Sequence, residues 1–382
     1  MANLTLIATA AFGIEAIVAR ELNQLGYDAT TVENGRVLFT ATEEAICRTN
    51  LWLRCADRVL LRIGDFPARS FEELFQQTKA LPWEEWLPLD ACFPVTGSSV
   101  HSQLHSVPDC QAIVKKAIVE RLKGVYHQEW FPETGATFPV KVTLLKDRVT
   151  LSLDTSGAGL HKRGYRAAAG QAPLKETLAA AMILLSRWRE DRALIDPCCG
   201  TGTIPIEAAL IALNRAPGLH RPFTAERWPS VPEALWRRAR REAREMERDR
   251  ECHIYGSDID EKALRLARQH AVEAHVDQKV FFQRLPAREV RSRFSYGHLI
   301  TNPPYGQRLQ GEADTAEVYQ QLREALTALP TWSLHLLTAL PRPEQWIGRR
   351  WDKSRKLYNG RIECHYYQFF GPKPPKKGQE GI

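Results

Sequence analysis

Leu194-Ile195-Asp196-Pro197-Cys198-Cys199-Gly200-Thr201-Gly202-Thr203-Ile204-Pro205-Ile206 reads as a short buried strand, a glycine turn and the start of a helix. Strand, glycine turn and helix together mark a nucleotide-cofactor site, since glycines let the backbone approach a ligand just before a helix N-terminus. A dinucleotide fingerprint needs a third glycine three residues beyond the second. That position is Pro205. The turn also opens on Asp196, a carboxylate poorly suited to a pyrophosphate and well suited to a cationic amine. It therefore fits S-adenosylmethionine, whose amine and sulfonium are both positive, and predicts cofactor contacts at Asp196, Cys198, Gly200, Thr201 and Gly202.

Further along the chain, an apolar strand at 252–256 leads into Ser257-Asp258-Ile259-Asp260. Asp258, at its tip, is expected to accept both ribose hydroxyls, with Ile259 beside it in the cofactor site. It follows Asp196 by roughly 60 residues instead of the about 20 of the dinucleotide fold, because an insertion at 217–251 intervenes. Within that insertion Trp236-Arg237-Arg238-Ala239-Arg240-Arg241-Glu242-Ala243-Arg244-Glu245 sets arginine and glutamate at helical spacing. The pattern predicts a solvated helix laced by i,i+4 pairs, with some arginines left to face RNA.

A later strand, 299–302, runs into Thr301-Asn302-Pro303-Pro304-Tyr305-Gly306. Two prolines can continue neither strand nor helix, so the chain turns at the carboxyl end of a strand, where open α/β sheets hold their ligands. An amide oxygen and a carbonyl can each accept a proton of one exocyclic NH2, while an aromatic ring stacks on the planar group that carries it. Asn302, Pro303 and Tyr305 are the candidate catalytic residues, with Asn302 also facing the cofactor. Alone, Asn-Pro-Pro-Tyr reads as a proline-rich loop. After the glycine turn and Asp258, in that order, it indicates a cofactor beside an amino-bearing base.

Helices at 174–188, 261–274 and 317–329 alternate with strands at 279–283 and 333–339. Pro173 suits the first turn of the earliest of these helices. Segments 356–358 and 361–370 flank Asn359-Gly360, a strong hairpin signal. An antiparallel hairpin closing a parallel sheet is typical of the class I methyltransferase fold and unlike a dehydrogenase. The end, 371–382, is rich in Pro, Lys and Gly and is expected to be disordered.

The amino-terminal part alternates short elements: a strand at 4–9, a helix at 13–25, a strand at 36–40 and a helix at 43–54. A second block has a strand at 92–95, a polar loop at 98–106, a helix at 109–122 and a hairpin of 139–145 with 148–153. Its helix carries Lys115 and Lys116, on a face that is either solvated or RNA-facing. His161-Lys162-Arg163-Gly164-Tyr165-Arg166 follows as a basic, aromatic connector. Lys162, Arg163, Tyr165 and Arg166 could touch a phosphate or stack on a base, or serve only as a linker.

At 382 residues the chain exceeds one core, and 44% hydrophobic with 25% charged residues describes a globular protein. The formal charge of +7 is compatible with a polyanionic partner. Eight cysteines without a C-x2-C pair indicate neither a zinc site nor a disulfide framework, and fit a reducing cytoplasm. The amino terminus lacks a signal-peptide pattern, and no apolar run reaches membrane-spanning length. Neither metal nor membrane is expected.

The pattern from Ser102 through Gln111-Ala112-Ile113-Val114-Lys115-Lys116-Ala117-Ile118 resembles the THUMP domain, an RNA-binding module. With the connector, the glycine turn and Asn-Pro-Pro-Tyr, nearly the whole chain resembles the RlmL/YpsC group of THUMP-containing RNA methyltransferases, matching the amino-terminal half of RlmL. That resemblance implies a class I S-adenosylmethionine-dependent fold with a seven-stranded Rossmann-like sheet, preceded by an α+β region. It implies a ferredoxin-like part at 1–60, THUMP at 45–155, a linker at 156–172, the methyltransferase domain at 173–371 and a tail at 372–382. The implied product is N2-methylguanosine in 23S rRNA. The same motifs also serve tRNA N2-guanosine methylation, DNA adenine-N6 methylation, glutamine methylation of a protein, or a silent RNA-binding protein. One departure stands out: the group usually has an Asp after the third strand to hold the adenine amine. Here Gln283-Arg284-Leu285-Pro286-Ala287 has no acid, leaving Gln283 or a backbone carbonyl to substitute.

Overall fold

The computed structural model describes residues 3–166, 174–304 and 312–375, with 312–315 by backbone alone. The expected helix start at Pro173, the Tyr305 ring and most of the expected tail lie outside these residues. In chain order the first half contains Leu4–Ala10 (β1), Glu15–Gln24 (α1), Ala29–Glu33 (β2), Arg36–Ala41 (β3), Glu44–Trp52 (α2), Ala56–Pro67 (β4), Phe71–Lys79 (α3), Val95–Val100 (β5), Val107–Tyr126 (α4), Val140–Leu145 (β6) and Arg148–Asp154 (β7). The second contains Glu176–Ser186 (α5), Leu194–Asp196 (β8), Thr203–Ala212 (α6), Glu233–Glu245 (α7), Ile254–Asp258 (β9), Glu261–Glu273 (α8), Val280–Arg284 (β10), His298–Thr301 (β11), Glu312–Ala328 (α9), Ser333–Thr338 (β12), Glu344–Ile347 (α10), Lys353–Asn359 (β13) and Ile362–Phe369 (β14). Among the described residues no helix is long and apolar enough to cross a membrane.

The chain divides into two units. The first, residues 3–10, 18–160 and 221–242, is built on a seven-stranded sheet of order β2-β3-β1-β4-β7-β6-β5. The expected ferredoxin-like and THUMP parts share this one sheet, joined where β4 pairs antiparallel with β7. β7 is buried at six of its seven positions because it lies inside the sheet. Its hairpin with β6 turns through Lys146 and Asp147, both at positive φ of +52° and +61°, the turn hand that matches strand twist.

Two elements depart from the sequence reading. Residues 95–100, expected as the end of a strand at 95 and a polar loop from 98, form β5, which pairs parallel with β6. Its Thr-Gly-Ser-Ser core has no apolar period, and a Cβ on Gly97 would lie 2.7 Å from the Val142 side chain, so close strand approach replaces side-chain burial. β2, not expected at all, is an edge strand exposed along nearly its full length. Both form by ladder pairing, which leaves little mark on hydrophobic pattern.

The insertion also differs from expectation. Residues 221–242 belong to the first unit, so the expected methyltransferase domain at 173–371 is not continuous in space. Trp228 stacks on Phe138 at 4.8 Å between centroids and donates its indole N–H to the Thr137 carbonyl at 2.9 Å. Arg48 pairs with Glu242 at 2.8 Å, and Arg238 with Glu44 at 2.6 Å. The arginine-glutamate spacing on α7 gives an in-helix pair of Glu233 with Arg237 at 2.8 Å.

The second unit comprises residues 11–17, 161–220 and 243–375 as far as described. Its sheet order is β10-β9-β8-β11-β12-β14-β13. The first five strands are parallel, and β14 runs antiparallel between β12 and β13. This is the expected class I methyltransferase arrangement. The closing turn falls one residue later than expected, on Gly360-Arg361, since Asn359 still pairs with Ile362 and Gly360 carries the positive φ. A core of Leu299, Tyr319, Leu322, Trp332, Leu334 and Phe369 packs one side of this sheet. Strand order reverses between β8 and β11, and at such a switch point the carboxyl ends open a crevice.

Candidate active site

Three strands deliver their last residues to that crevice: Asp196 from β8, Asp258 from β9, and Thr301 with Asn302 from β11. Asp196, Asp258 and Asn302 line a cavity of about 650 Å3, a size suited to a cofactor with part of a substrate, while Thr301 is buried beneath it. The turn after β8 forms its floor. Gly200 and Gly202 take positive φ, +52° and +82°, which a side chain would disfavour. A Cβ on Gly202 would also lie 2.8 Å from the Phe282 ring and 3.0 Å from Ala267 Cβ. Gly202 is therefore a close-packing residue under the turn at the N-terminus of α6, and the cavity itself is lined by Gly200, Thr201 and Thr203. The expected cofactor contact at Gly202 is corrected accordingly.

Both carboxylates brace the loop. Asp258 accepts from the backbone N–H of Gly200 at 2.8 Å with one oxygen and from that of Asp260 at 3.0 Å with the other. Asp196 accepts from Thr301 Oγ1 at 2.7 Å and from the Cys198 N–H at 3.1 Å through a single oxygen. Asp196 is almost wholly buried, and burial pushes its carboxyl up to about 7, against the two hydrogen bonds that favour the anion. A buried carboxylate held this high is one for which a cationic ligand would substitute for lost water. Ile259, 67% exposed, offers an apolar surface at the cavity, and Lys262, Val318 and Gln321 contribute further walls. Asn302 Oδ1 is buried and, among the described residues, has no hydrogen-bond partner. Burying an amide oxygen unpaired is costly, so its place beside the cavity marks an acceptor awaiting a donor.

These features fit S-adenosylmethionine: a buried acid for the amine, an acid at the next strand end for the ribose, and an apolar cover for a purine. The end of β10 does not supply the usual acid. Gln283 is exposed and does not line the cavity, so it is no substitute; the nearest wall there is Ala287.

The structure brings together Asp196, Cys198, Gly200, Thr201, Asp258, Ile259 and Asn302 in one cavity. Pro303 is buried behind it, while Pro304 is on its wall. The connector is corrected. Arg163 and Tyr165 are buried, not RNA-facing: the Arg163 guanidinium lies 3.3 Å from the fully buried Glu207 on α6, and the Tyr165 hydroxyl donates to the same carboxylate at 3.1 Å. Arg166 donates to Thr203 Oγ1 at 2.6 Å and pairs with Glu176 at 3.3 Å. The connector thus ties α5 and α6 behind the glycine turn. Lys162 is exposed. Lys115 is half-buried, bonded to Glu133 at 2.6 Å and set 3.6 Å over the Phe93 ring, whereas Lys116 is exposed.

Sequence reasoning missed Thr301, Lys262, Val318 and Gln321. Thr301 was legible as the polar residue before Asn-Pro-Pro. The others are ordinary helix positions that carry no local signal.

Known families match three stretches: the RMKL-like methyltransferase domain over residues 163–368, the RlmL ferredoxin-like domain over 5–60, and the THUMP domain over 68–154. The chain is 46% identical to YpsC of Bacillus subtilis (strain 168), an RNA methyltransferase by name, over 99% of this chain and 98% of that one. It is 34% identical to the ribosomal RNA large subunit methyltransferase K/L of Psychromonas ingrahamii over 95% of this chain, but spans only 50% of that protein's length. Among solved structures it is similar to one from Listeria monocytogenes named as an N6-adenine-specific DNA methylase, with 50% identity, 97% of each chain covered and a TM-score of 0.93. A second, the methyltransferase SMU.472 solved with SAH, shares 45% identity over 98% of this chain and 100% of that one, with a TM-score of 0.93.

Proposed function

Because the chain belongs to the RMKL-like family of S-adenosylmethionine-dependent methyltransferases, we propose that it methylates N2 of a guanosine in RNA, most specifically 23S rRNA. The observation that carries this reading is the buried, unpartnered Asn302 Oδ1 at the end of β11, beside the cofactor cavity. When bound, S-adenosylmethionine supplies an electrophilic methyl on a cationic sulfonium. The chain's residues do the rest.

A guanine N2 lone pair is delocalised into the ring and is a poor nucleophile. Asn302 Oδ1 and the Pro303 carbonyl each accept a hydrogen bond from one of its two N–H groups, which favours a pyramidal, attacking nitrogen. As the N–C bond forms and the methyl–sulfur bond breaks, neutral S-adenosylhomocysteine would leave and the nitrogen would shed one proton to water. Tyr305, outside the described residues, keeps a stacking role from its place in the motif. The base leaves its helix or is presented in a loop, since an amine within a duplex cannot reach such a pocket. Orientation of nitrogen toward methyl then lowers most of the remaining barrier. Asp196 and Asp258 hold the cofactor by its amine and ribose. Lys116 and Lys162, both exposed, and Lys115, half-buried midway along α4, are the proposed phosphate contacts. All eight cysteines are thiols, which suits a cytoplasmic enzyme.

A second reading, methylation of adenine N6 in DNA, is favoured by one observation: Asn302 would accept any planar amine, and the Listeria relative carries that name. The THUMP match and the rRNA methyltransferase relatives favour RNA. Nucleoside mass spectrometry of separated rRNA, tRNA and DNA, from cells with and without the gene, tests both. Loss of one N2-methylguanosine from 23S rRNA is expected. Its loss from tRNA would move the substrate, loss of N6-methyladenine from DNA would replace the base, and no change in any methylated nucleoside would sink the enzymatic reading.

A further inference from the structure

A second concavity, of about 660 Å3, lies over the outward side of α9 and takes no part in the chemistry above. Gln320, Arg323, Glu324 and Thr327 recur at i, i+3, i+4 and i+7 and so form one face of that helix. Arg288 and Arg291, from the turn after β10, and Gln345 with Trp346, from α10, complete the lining. A smaller hollow of about 300 Å3 shares Arg323 and Thr327 and adds Gly348 and Arg349, so the two form one trough.

Three guanidiniums against Glu324 and the adjacent Glu289, which lies 3.9 Å from Arg288 Nε, leave the larger hollow with a net positive charge. The Arg291 guanidinium is anchored by donating to the Arg288 and Val290 carbonyls, each at 2.8 Å. Arg288 and Arg323 are exposed, and Arg323 has no side-chain ion pair among the described residues. A Cβ on Gly348 would sit 2.8 Å from Arg323 Cζ, so a glycine at φ +80° leaves room for that guanidinium. The Trp346 indole is 37% exposed. A lone exposed aromatic is ordinary, but an indole among three arginines and two carboxamides has a matched set of partners. Guanidinium suits phosphate, carboxamides suit base edges, and an indole face suits an unpaired base. α9 also lines the cofactor cavity through Val318 and Gln321.

We propose that this trough binds single-stranded RNA flanking the methylated nucleotide, with phosphates on Arg288 and Arg323 and an unpaired base against Trp346. It rests on RNA being the substrate and is independent of which base is methylated.

The test is fluorescence anisotropy of a fluorescein-labelled 12-nucleotide oligouridylate with the full chain over a range of salt. Two variants are compared with wild type: Arg288→Gln combined with Arg323→Gln, and Trp346→Ala. The double variant is expected to bind more weakly, with the slope of log K against log salt reduced by about 1.4, roughly 0.7 per lost phosphate contact. Trp346→Ala should weaken binding by roughly tenfold, the scale of one base–aromatic stack, with the slope unchanged. S-adenosylmethionine affinity by calorimetry should stay at the wild-type value in both and reports folding. Variants that bind like wild type, with the same slope, overturn the trough while RNA remains the substrate. Wild type that binds no oligouridylate at low salt overturns both. If a variant also loses cofactor affinity, photocrosslinking of wild type to a 4-thiouridine-containing 12-mer decides. Crosslinks on the peptide holding Trp346 support the trough, and crosslinks only elsewhere overturn it.

Discussion

Asp196 and Asn302 show how two polar side chains of one cavity are held ready in different ways. Asp196 carries a carboxyl raised to about 7, because its burial outweighs the two hydrogen bonds that one of its oxygens accepts. A raised folded-state value favours the protonated form. Without cofactor, the stability contributed by this group is fully present below its unfolded value and is lost as pH rises through about 7. Binding a cationic amine needs the anion, so cofactor affinity should run the opposite way. The dissociation constant for S-adenosylmethionine is expected to be level above about pH 8 and to rise roughly tenfold per unit below about pH 6, as one linked proton requires. Calorimetry from pH 5.5 to 8.5 checks this, and a flat profile would remove Asp196 from amine binding. Asn302→Ala deletes the unpartnered acceptor and, among the described residues, no hydrogen bond of the loop. It should abolish methyl transfer in single-turnover assays by a factor on the order of 10² or more, the scale of a lost preorganised contact. S-adenosylmethionine affinity should stay within about twofold; residual activity near wild type would exclude Asn302 from the mechanism.

At the scale of the element, the connector His161-Lys162-Arg163-Gly164-Tyr165-Arg166 is a brace, although its composition matches a nucleic-acid contact. Arg163 and Tyr165 converge on Glu207, which is fully buried in α6, and Arg166 reaches the first residue of the same helix. A buried charge is tolerated only when paired, and removing one partner strands the other at a cost of about 3–5 kcal/mol. Arg163→Ala is therefore expected to lower unfolding stability by that order in urea titration. Under conditions where it stays folded, its affinity for a single-stranded oligoribonucleotide should match wild type. A loss of RNA affinity without a loss of stability would return the connector to the RNA surface. The glycine turn, by contrast, is legible in the sequence alone: strand, Gly200, Gly202 and helix predict a turn beside a ligand cavity, and the structure gives both glycines positive φ. Local sterics dictate such a turn, whereas the burial of Arg163 depends on Glu207, 44 residues away.

At the scale of the whole molecule, the insertion that separates Asp196 from Asp258 contributes residues 221–242 to the first unit's packing. Trp228 is fully buried, stacked on Phe138 and bonded to Thr137. Trp228→Ala should destabilise that unit by about 3–5 kcal/mol, the range for deleting a buried aromatic. Hydrogen exchange should speed up around β6, and equal protection in wild type and variant would refute the packing role. The alternation of strands and helices, the closing hairpin to within one residue, and the succession of Asp196, Asp258 and Asn302 along the chain were determined by the sequence itself. Strand periodicity, glycine turns and proline stops are short-range effects, felt within a few residues. Tertiary structure alone decided that the polar stretch Thr96-Gly97-Ser98-Ser99 is a strand, that two expected amino-terminal parts share one sheet, that the basic connector is buried, and that Val318 and Gln321 wall the cofactor cavity. Each of those outcomes rests on a partner distant in sequence, a ladder strand, a buried counter-charge or a facing helix, and no local pattern encodes the identity of such a partner.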